Sequence, residues 1–183
     1  MERHCQRGFT LVELLVALSV AAILFGVAIP SFQDLLERQR SWTALNDLRS
    51  NLHQARELAV RERTPVTVCR SADGLRCGTG SSWSDGWIVF EARGGTSACT
   101  VQASGLCDHG GRVLSVSKGM QGGVYLTANH FVSEQVRFSP EGHAPLSNGT
   151  FTACSPDHEV LRGMVLAPSG RVRVARDGEN NAC

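Results

Sequence analysis

The chain has 183 residues, 18 of them Lys or Arg and 17 Asp or Glu, for a formal net charge of +1. A balance so near neutral excludes the diffuse attraction of a whole protein for a polyanion, so any such site must be local. Arg3, Arg7 and Glu2 all fall within the first eight residues, which leaves the remainder formally neutral, and Lys118 is its one lysine among arginines.

In chain order, a short basic stretch, MERHCQRG, comes first. From Phe9 to Ile29 the residues are apolar or small except for one carboxylate, Glu13. At ~1.5 Å per residue this run spans about 31 Å as a helix, enough to cross a bilayer core. Arg3 and Arg7 directly before it predict residues 1–8 inside and everything after the membrane outside. A secretory signal peptide would have a shorter apolar core followed by a small-x-small cleavage site. A charge at the centre of a membrane helix costs roughly 2.5–3.5 kcal/mol on insertion scales and less near an end, so Glu13 calls for a partner. Pro30 has no N–H for the carbonyl of Gly26, which predicts a weak or kinked helix between those positions.

From Ser31 to about Arg63 the pattern is helical. Leu35, Trp42, Leu45, Leu48, Leu52, Ala55 and Ala59 recur at spacings of three, four or seven and form one apolar stripe, while Arg38, Arg40, Asp47, Arg49, Arg56 and Glu57 take much of the rest. Pro65 marks the change to strands. Short β-like runs follow at 65–70, 86–91, 112–117, 123–127, 135–139, 150–155, 163–168 and 170–175, divided by Gly-rich loops. The arrangement predicts an α+β fold with a long N-terminal helix packed on antiparallel sheets.

Cys5 precedes the apolar run; Cys69, Cys77, Cys99, Cys107, Cys154 and Cys183 lie beyond it, where an oxidising periplasm lets them pair. Six cysteines permit 15 connectivities. The expected one is Cys69–Cys77, Cys99–Cys107 and Cys154–Cys183, because the first two close short Gly-rich loops and the third encloses the C-terminal strands. Zinc is the competing reading, and the absence of C-x-x-C and the scatter of His53, His109, His130, His143 and His158 speak against it.

No G-x-S-x-G, H-E-x-x-H or G-x-x-x-x-G-K is present, so neither an enzyme nor a cofactor or metal is expected. Asp157 and His158 are adjacent, a poor placement for a catalytic relay, and read as a solvated loop. The SGRVRV stretch is the candidate site: alternation sends Val172 and Val174 to one face, Arg171 and Arg173 to the other. Read from spacing alone, this is an edge strand with a solvated, arginine-bearing outer face. Arg162 and Arg176 lie close enough in sequence to extend the patch; Asp177 and Glu179 weaken it.

The residues RGFTLVE at 7–13 resemble the signal of type IV prepilins and type II secretion pseudopilins, through Gly8, Phe9, Thr10, Leu11 and Glu13, with Pro30 also in place. The resemblance implies that prepilin peptidase cuts between Gly8 and Phe9 and methylates the new Phe9 amine. It further implies that Glu13 faces that amine of a neighbouring subunit in a filament, which gives the carboxylate its partner. Residues 1–8 are then a cleaved leader, 9–30 the membrane and filament-core helix, 31–63 an amphipathic helix and 64–183 a periplasmic β-rich domain. Further along, ARELAVRERTPVTVC (55–69), WSDGWIVFEA (83–92), VRFSPEGHA (136–144) and SGRVRV (169–174) are similar to the GspH/FimT family of minor pilins and pseudopilins. Segment 93–118 departs from that family in its length and its own cysteine pair.

What this likeness implies is a type IV pilin-like fold, anchorage in the inner membrane with a periplasmic C-terminal domain, and partnership with other pilins. In the FimT branch, a C-terminal G-R-x-R contacts DNA during natural transformation, and Gly170, Arg171 and Arg173 fill that motif here. Two guanidinium forks about 7 Å apart suit successive phosphates without reading bases. The alternatives are a structural subunit, GspH-like in a type II secretion system or FimU-like in priming pilus assembly, and a simple membrane-anchored binding domain in which Gly8–Phe9 stays uncut.

Overall fold

The computed structural model describes residues 10–78, 82–95, 98–120, 123–176, 178–179 and 182–183, and of residues 27–31 the backbone path alone. The chain forms two compact units, Met1–Leu36 and Glu37–Cys183. Helix α1 (Leu11–Glu62) supplies the first unit and the opening of the second. At its start, Thr10 Oγ1 accepts the N–H of Glu13 at 3.3 Å and the Thr10 carbonyl accepts that of Leu14. Glu13 thus takes the third position of a Thr-x-x-Glu cap, where a carboxylate also meets the positive end of the helix dipole. The bond is made by the Glu13 backbone N–H, so the local part of the carboxylate is its place in the helix dipole.

The first unit leaves Leu11, Val12, Leu14, Leu15, Val16 and Leu18 exposed. Among the described residues no helix is long and apolar enough to cross a membrane. The expected span, 9–30, falls partly outside them: Phe9 entirely, and 27–30 in their side chains. Helix α1 runs on through Pro30, where the weak point is expected. A proline removes one i→i−4 bond from a helix that continues on both sides of it.

In the second unit α1 buries Ala44, Leu45, Leu48, Leu52, Ala55 and Ala59, a stripe at helical spacing. Leu35 and Trp42, expected in that stripe, are 60 % and 39 % exposed. Leu35 belongs to the first unit, and Trp42 lies at the rim of the core. The helix ends with Arg63 in the left-handed region (φ 51°), followed by Thr64 and Pro65, which cannot continue it.

Among the described residues eight antiparallel strands follow, in two four-stranded sheets. The first has the order β3 (Val113–Lys118), β2 (Gly86–Glu91), β1 (Val66–Arg70), β5 (Gln135–Phe138). The second has β4 (Tyr125–Ala128), β6 (Gly149–Cys154), β7 (Val160–Leu166), β8 (Val172–Val174), which leaves β8 at an edge. One core joins the helix stripe to Val66, Val68 and Val136 of the first sheet and Phe151, Leu166 and Val172 of the second. Trp83 bridges the two, edge-on to Phe151 of β6 at 5.2 Å and tilted against Trp87 of β2 at 6.5 Å, with its indole N–H donated to the Val132 carbonyl at 2.8 Å.

β2 is buried along its whole length, because its other face carries a second core of Cys69, Ile88, Phe90, Ala92, Cys99 and Cys107. Disulfide Cys69–Cys77 ties the loop after β1 back to that strand, Cys99–Cys107 closes a loop of its own, and the two meet where the Cys77 N–H donates to the Cys99 carbonyl at 3.0 Å. The Glu91 carboxylate, buried at the seam, accepts from Arg112 at 2.8 Å and from Arg93 at 3.1 Å. The third disulfide joins Cys154 to Cys183.

Candidate nucleic-acid interface

The SGRVRV stretch forms the β7–β8 hairpin. Gly170 donates to the Ala167 carbonyl at 2.8 Å and Ala167 donates to that of Arg171 at 2.9 Å. That pattern is a tight turn with a glycine bulge, and Gly170 meets its demand with φ +75°. A Cβ on Gly170 would lie 2.2 Å from the Gly142 carbonyl and 3.0 Å from Arg56 Nε. Gly142, with φ +78°, ends its own turn there, and Arg56 of α1 donates Nε–H to the Gly142 carbonyl at 2.9 Å. Ala144 in turn donates to the Pro168 carbonyl at 2.8 Å. Stretches that look independent in sequence, around Arg56, Gly142 and Gly170, are one joint. Arg56, expected outside the apolar stripe of the helix, is half-buried in this joint.

Register places the arginines. Val172 pairs with Leu166 and Val174 with Met164, in the core-facing phase although Val174 at the strand end is 50 % exposed, while Arg173 pairs with Val165 on the outer face. Arg171, two residues before Arg173 in extended chain, shares that outer face. It is exposed, and its guanidinium has no partner among the described residues. Arg162 lies in β7 in phase with Met164 and Leu166, so it faces the other way; its guanidinium stacks over the Trp42 ring at 4.5 Å. Arg162 therefore does not extend the outer patch. An arginine at the rim of a core finds an aromatic face there, which sequence proximity alone could not foretell. Arg176, in phase with Val172 and Val174, follows the end of β8; its N–H is held by Glu179.

Glu179 also takes Arg173. Nη1 donates to Oε2 at 2.6 Å and Nη2 to Oε1 at 2.7 Å, a two-pronged pairing of fork and carboxylate. These bonds, led by that from Arg173 and then the Arg176 N–H, hold the Glu179 carboxyl down at about 2. The same carboxylate raises the Arg173 guanidinium. Glu179 N–H closes a turn onto the Arg176 carbonyl at 3.0 Å. Further on, Cys183 bonds to Cys154 on β6, and its carbonyl accepts from the Tyr125 hydroxyl of β4 at 3.2 Å. The tail thus has anchors on β8, β6 and β4 of the second sheet. Sequence reading noted Glu179 as a weakening charge and missed its direct engagement; the signal was a carboxylate on a tail tied down by its last cysteine.

Gly8 and Phe9, the expected cleavage and methylation site, lie outside the described residues. No group of three potential metal ligands occurs among the described residues.

Residues 44–178 match the family model described as type II transport protein GspH, and residues 3–29 match the prokaryotic N-terminal methylation motif. Fimbrial protein Q of Moraxella bovis is 22 % identical over 131 residues, 65 % of this chain and 83 % of that protein. The crystal structure of the type IV minor pilin FimU of Pseudomonas aeruginosa superposes with a TM-score of 0.54 at 20 % identity, over 78 % of this chain and 92 % of that one. The minor pseudopilin EpsH of Vibrio cholerae gives 0.50 at 11 % identity, over 79 % of this chain and 99 % of that one. With three quarters of its length matched by one family model and a pilin fold beneath it, the chain belongs to the GspH family of minor pilins and pseudopilins.

Proposed function

We propose that this chain is a FimT-like minor pilin that contacts the phosphate backbone of DNA through Arg171 and Arg173. The chain enters the inner membrane by residues 9–30, is cut by prepilin peptidase between Gly8 and Phe9, is methylated at Phe9 and joins a type IV pilus through α1. Its β-rich domain then faces outward from the filament, where DNA is captured for uptake. The observation that carries the DNA contact is the pair itself: two exposed arginines at the start and in the middle of an edge strand, on its outer face, one with its guanidinium unpartnered among the described residues. Gly170 serves this contact indirectly, by shaping the hairpin that presents Arg171. Binding is weak and blind to sequence, because phosphates alone are met.

One observation favours a second reading, a structural subunit of a pilus or of a type II secretion system: Arg173 is already paired with Glu179. A titration of duplex DNA separates the two. Each phosphate neutralised adds about 0.9 to the slope of log affinity against log salt. Changing Arg171 and Arg173 together to Gln in the full chain, purified in detergent, is expected to remove most of the binding and between one and two units of slope. Wild type and double variant behaving alike at low salt, with Glu179 intact or changed, leaves the structural subunit standing.

A further inference from the structure

The Arg173–Glu179 pair has the geometry of the contact proposed for DNA. A carboxylate offers two oxygens to the two outer nitrogens of the guanidinium, as the non-bridging oxygens of a phosphodiester do. Glu179 is not a chance neighbour on a loose end. A turn closed on Arg176 sets it, the Arg176 N–H supports the same oxygen that meets Arg173 Nη1, and the disulfide to Cys154 ties down the chain four residues later. Arg171, one alternation away at the entry to the same strand, has no such occupant among the described residues.

We infer that Glu179 is a built-in occupant of the Arg173 phosphate site, so that DNA gains this second contact only by exchange with the protein's own tail. The inference rests on the phosphate-backbone reading of this face and names its regulation. Arg171 makes the first contact at full strength. Arg173 makes the second only after its resident carboxylate leaves, and leaving is opposed because the anchored tail returns it at high local concentration. Shortening or releasing the tail, or removing the one carboxylate, converts a one-arginine surface into a two-arginine surface. The pair is partly open to solvent, with side-chain exposures of 44 % and 34 %, so an incoming phosphate reaches it without unfolding the sheet.

The experiment is a fluorescence-anisotropy titration of a short duplex DNA, over a series of salt concentrations, with the full chain in detergent. Exposed ion pairs are weak, so freeing Arg173 by Glu179→Gln is expected to tighten binding only roughly two- to fivefold at low salt. It is expected to steepen the salt slope by about 0.9, one further phosphate. Both gains should vanish when Arg171→Gln and Arg173→Gln are added. Glu159→Gln removes the same charge from the turn between β6 and β7 without touching Arg173 and is expected to leave the slope unchanged, and Glu179→Asp should resemble wild type. Peptide mapping of Cys154–Cys183 in each variant verifies that the tail is still tied. If wild type binds through its arginines and Glu179→Gln binds no better, or Glu159→Gln gains as much, the occupant role is overturned while the DNA reading survives. If none of the chains binds duplex DNA at low salt, or binding ignores the arginines in every background, both fall. Binding by Glu179→Gln where wild type shows none supports both.

Discussion

Gly170→Ala tests whether the glycine of the SGRVRV stretch acts through shape. A side chain at φ +75° costs about 1–2 kcal/mol from left-handed backbone alone. The added Cβ would sit 2.2 Å from the Gly142 carbonyl, a backbone atom, so one of the two turns must shift. If the Gly142 carbonyl gives way, it leaves Arg56 Nε, now 2.9 Å distant, and a hydrogen bond from a charged donor is worth about 1.5–3 kcal/mol. Together these give about 2.5–5 kcal/mol. Gly105→Ala is the control: its φ is +76°, and its Cβ would meet nothing within 4 Å, so the backbone term of about 1–2 kcal/mol stands alone. At about 2–4 °C per kcal/mol for a chain of this size, Gly170→Ala should lower the melting temperature by roughly 5–20 °C and Gly105→Ala by roughly 2–8 °C. Trp42, Trp83 and Trp87 all lie in the second unit, so near-ultraviolet circular dichroism of the full chain in detergent follows that unit. A Gly170→Ala melt within 2 °C of the Gly105→Ala melt would refute the mated-turn account of this joint.

Mass spectrometry of protein from cells should find Phe9 as the first residue, bearing an N-methyl group; residues 1–8 retained would remove the processing step. Glu13→Ala should enter the membrane normally yet be missing from sheared filaments, and normal incorporation would leave its helix-cap position as its sole use. Cys183→Ser should cost roughly 2–4 kcal/mol in denaturant, a usual disulfide contribution, while thiol titration of the oxidised wild type finds none of Cys69, Cys77, Cys99, Cys107, Cys154 or Cys183 free. Glu179 is held at about 2 from an ordinary 4.5, and Asp73 at about 2 from 3.8 by the N–H groups of Leu75 and Arg76. Folded values below unfolded ones mean that both contributions are complete above about pH 4.5 and are lost as pH falls toward 2. Carbon-detected NMR should therefore show both carboxylates still ionised at pH 4, and a Glu179 titrating near 4.5 would contradict the pairing with Arg173.

Periodicity carried the fold because each period reports one buried face. Leu45, Leu48, Leu52, Ala55 and Ala59 recur as a helix stripe does, and the eight β-like runs each became a strand within a few residues. The last run, expected over 170–175, shortened to Val172–Val174, since Gly170 is spent on the bulge and the chain leaves the ladder after Val174. The errors arose where a side chain answers to a distant partner. Arg56 reads only as a charge outside the apolar stripe until the turns at Gly142 and Gly170 close over it. Arg162 reads as part of a cationic patch until the β7 register turns it onto Trp42. Glu179 reads as one of several tail charges until the disulfide at Cys183 fixes where the tail can lie. Each is a long-range consequence of sheet phase or chain closure, which no local window of sequence contains.

A neutral domain that offers one or two arginines cannot hold DNA firmly as a single copy. At about 0.9 per phosphate, its salt slope stays below two, within the range of weak non-specific contact. In a filament the same contact recurs along one axis, and linked copies bind as an intramolecular series whose gains multiply. The tail carboxylate then matters more than its own strength suggests. A threefold handicap at each Arg173, carried by three engaged subunits, amounts to about thirtyfold in the joint affinity if the sites are independent. On the proposed DNA reading, a modest ion pair on each copy is enough to set whether a filament lets go of DNA it has touched, without any change to the core, the hairpin or the helix.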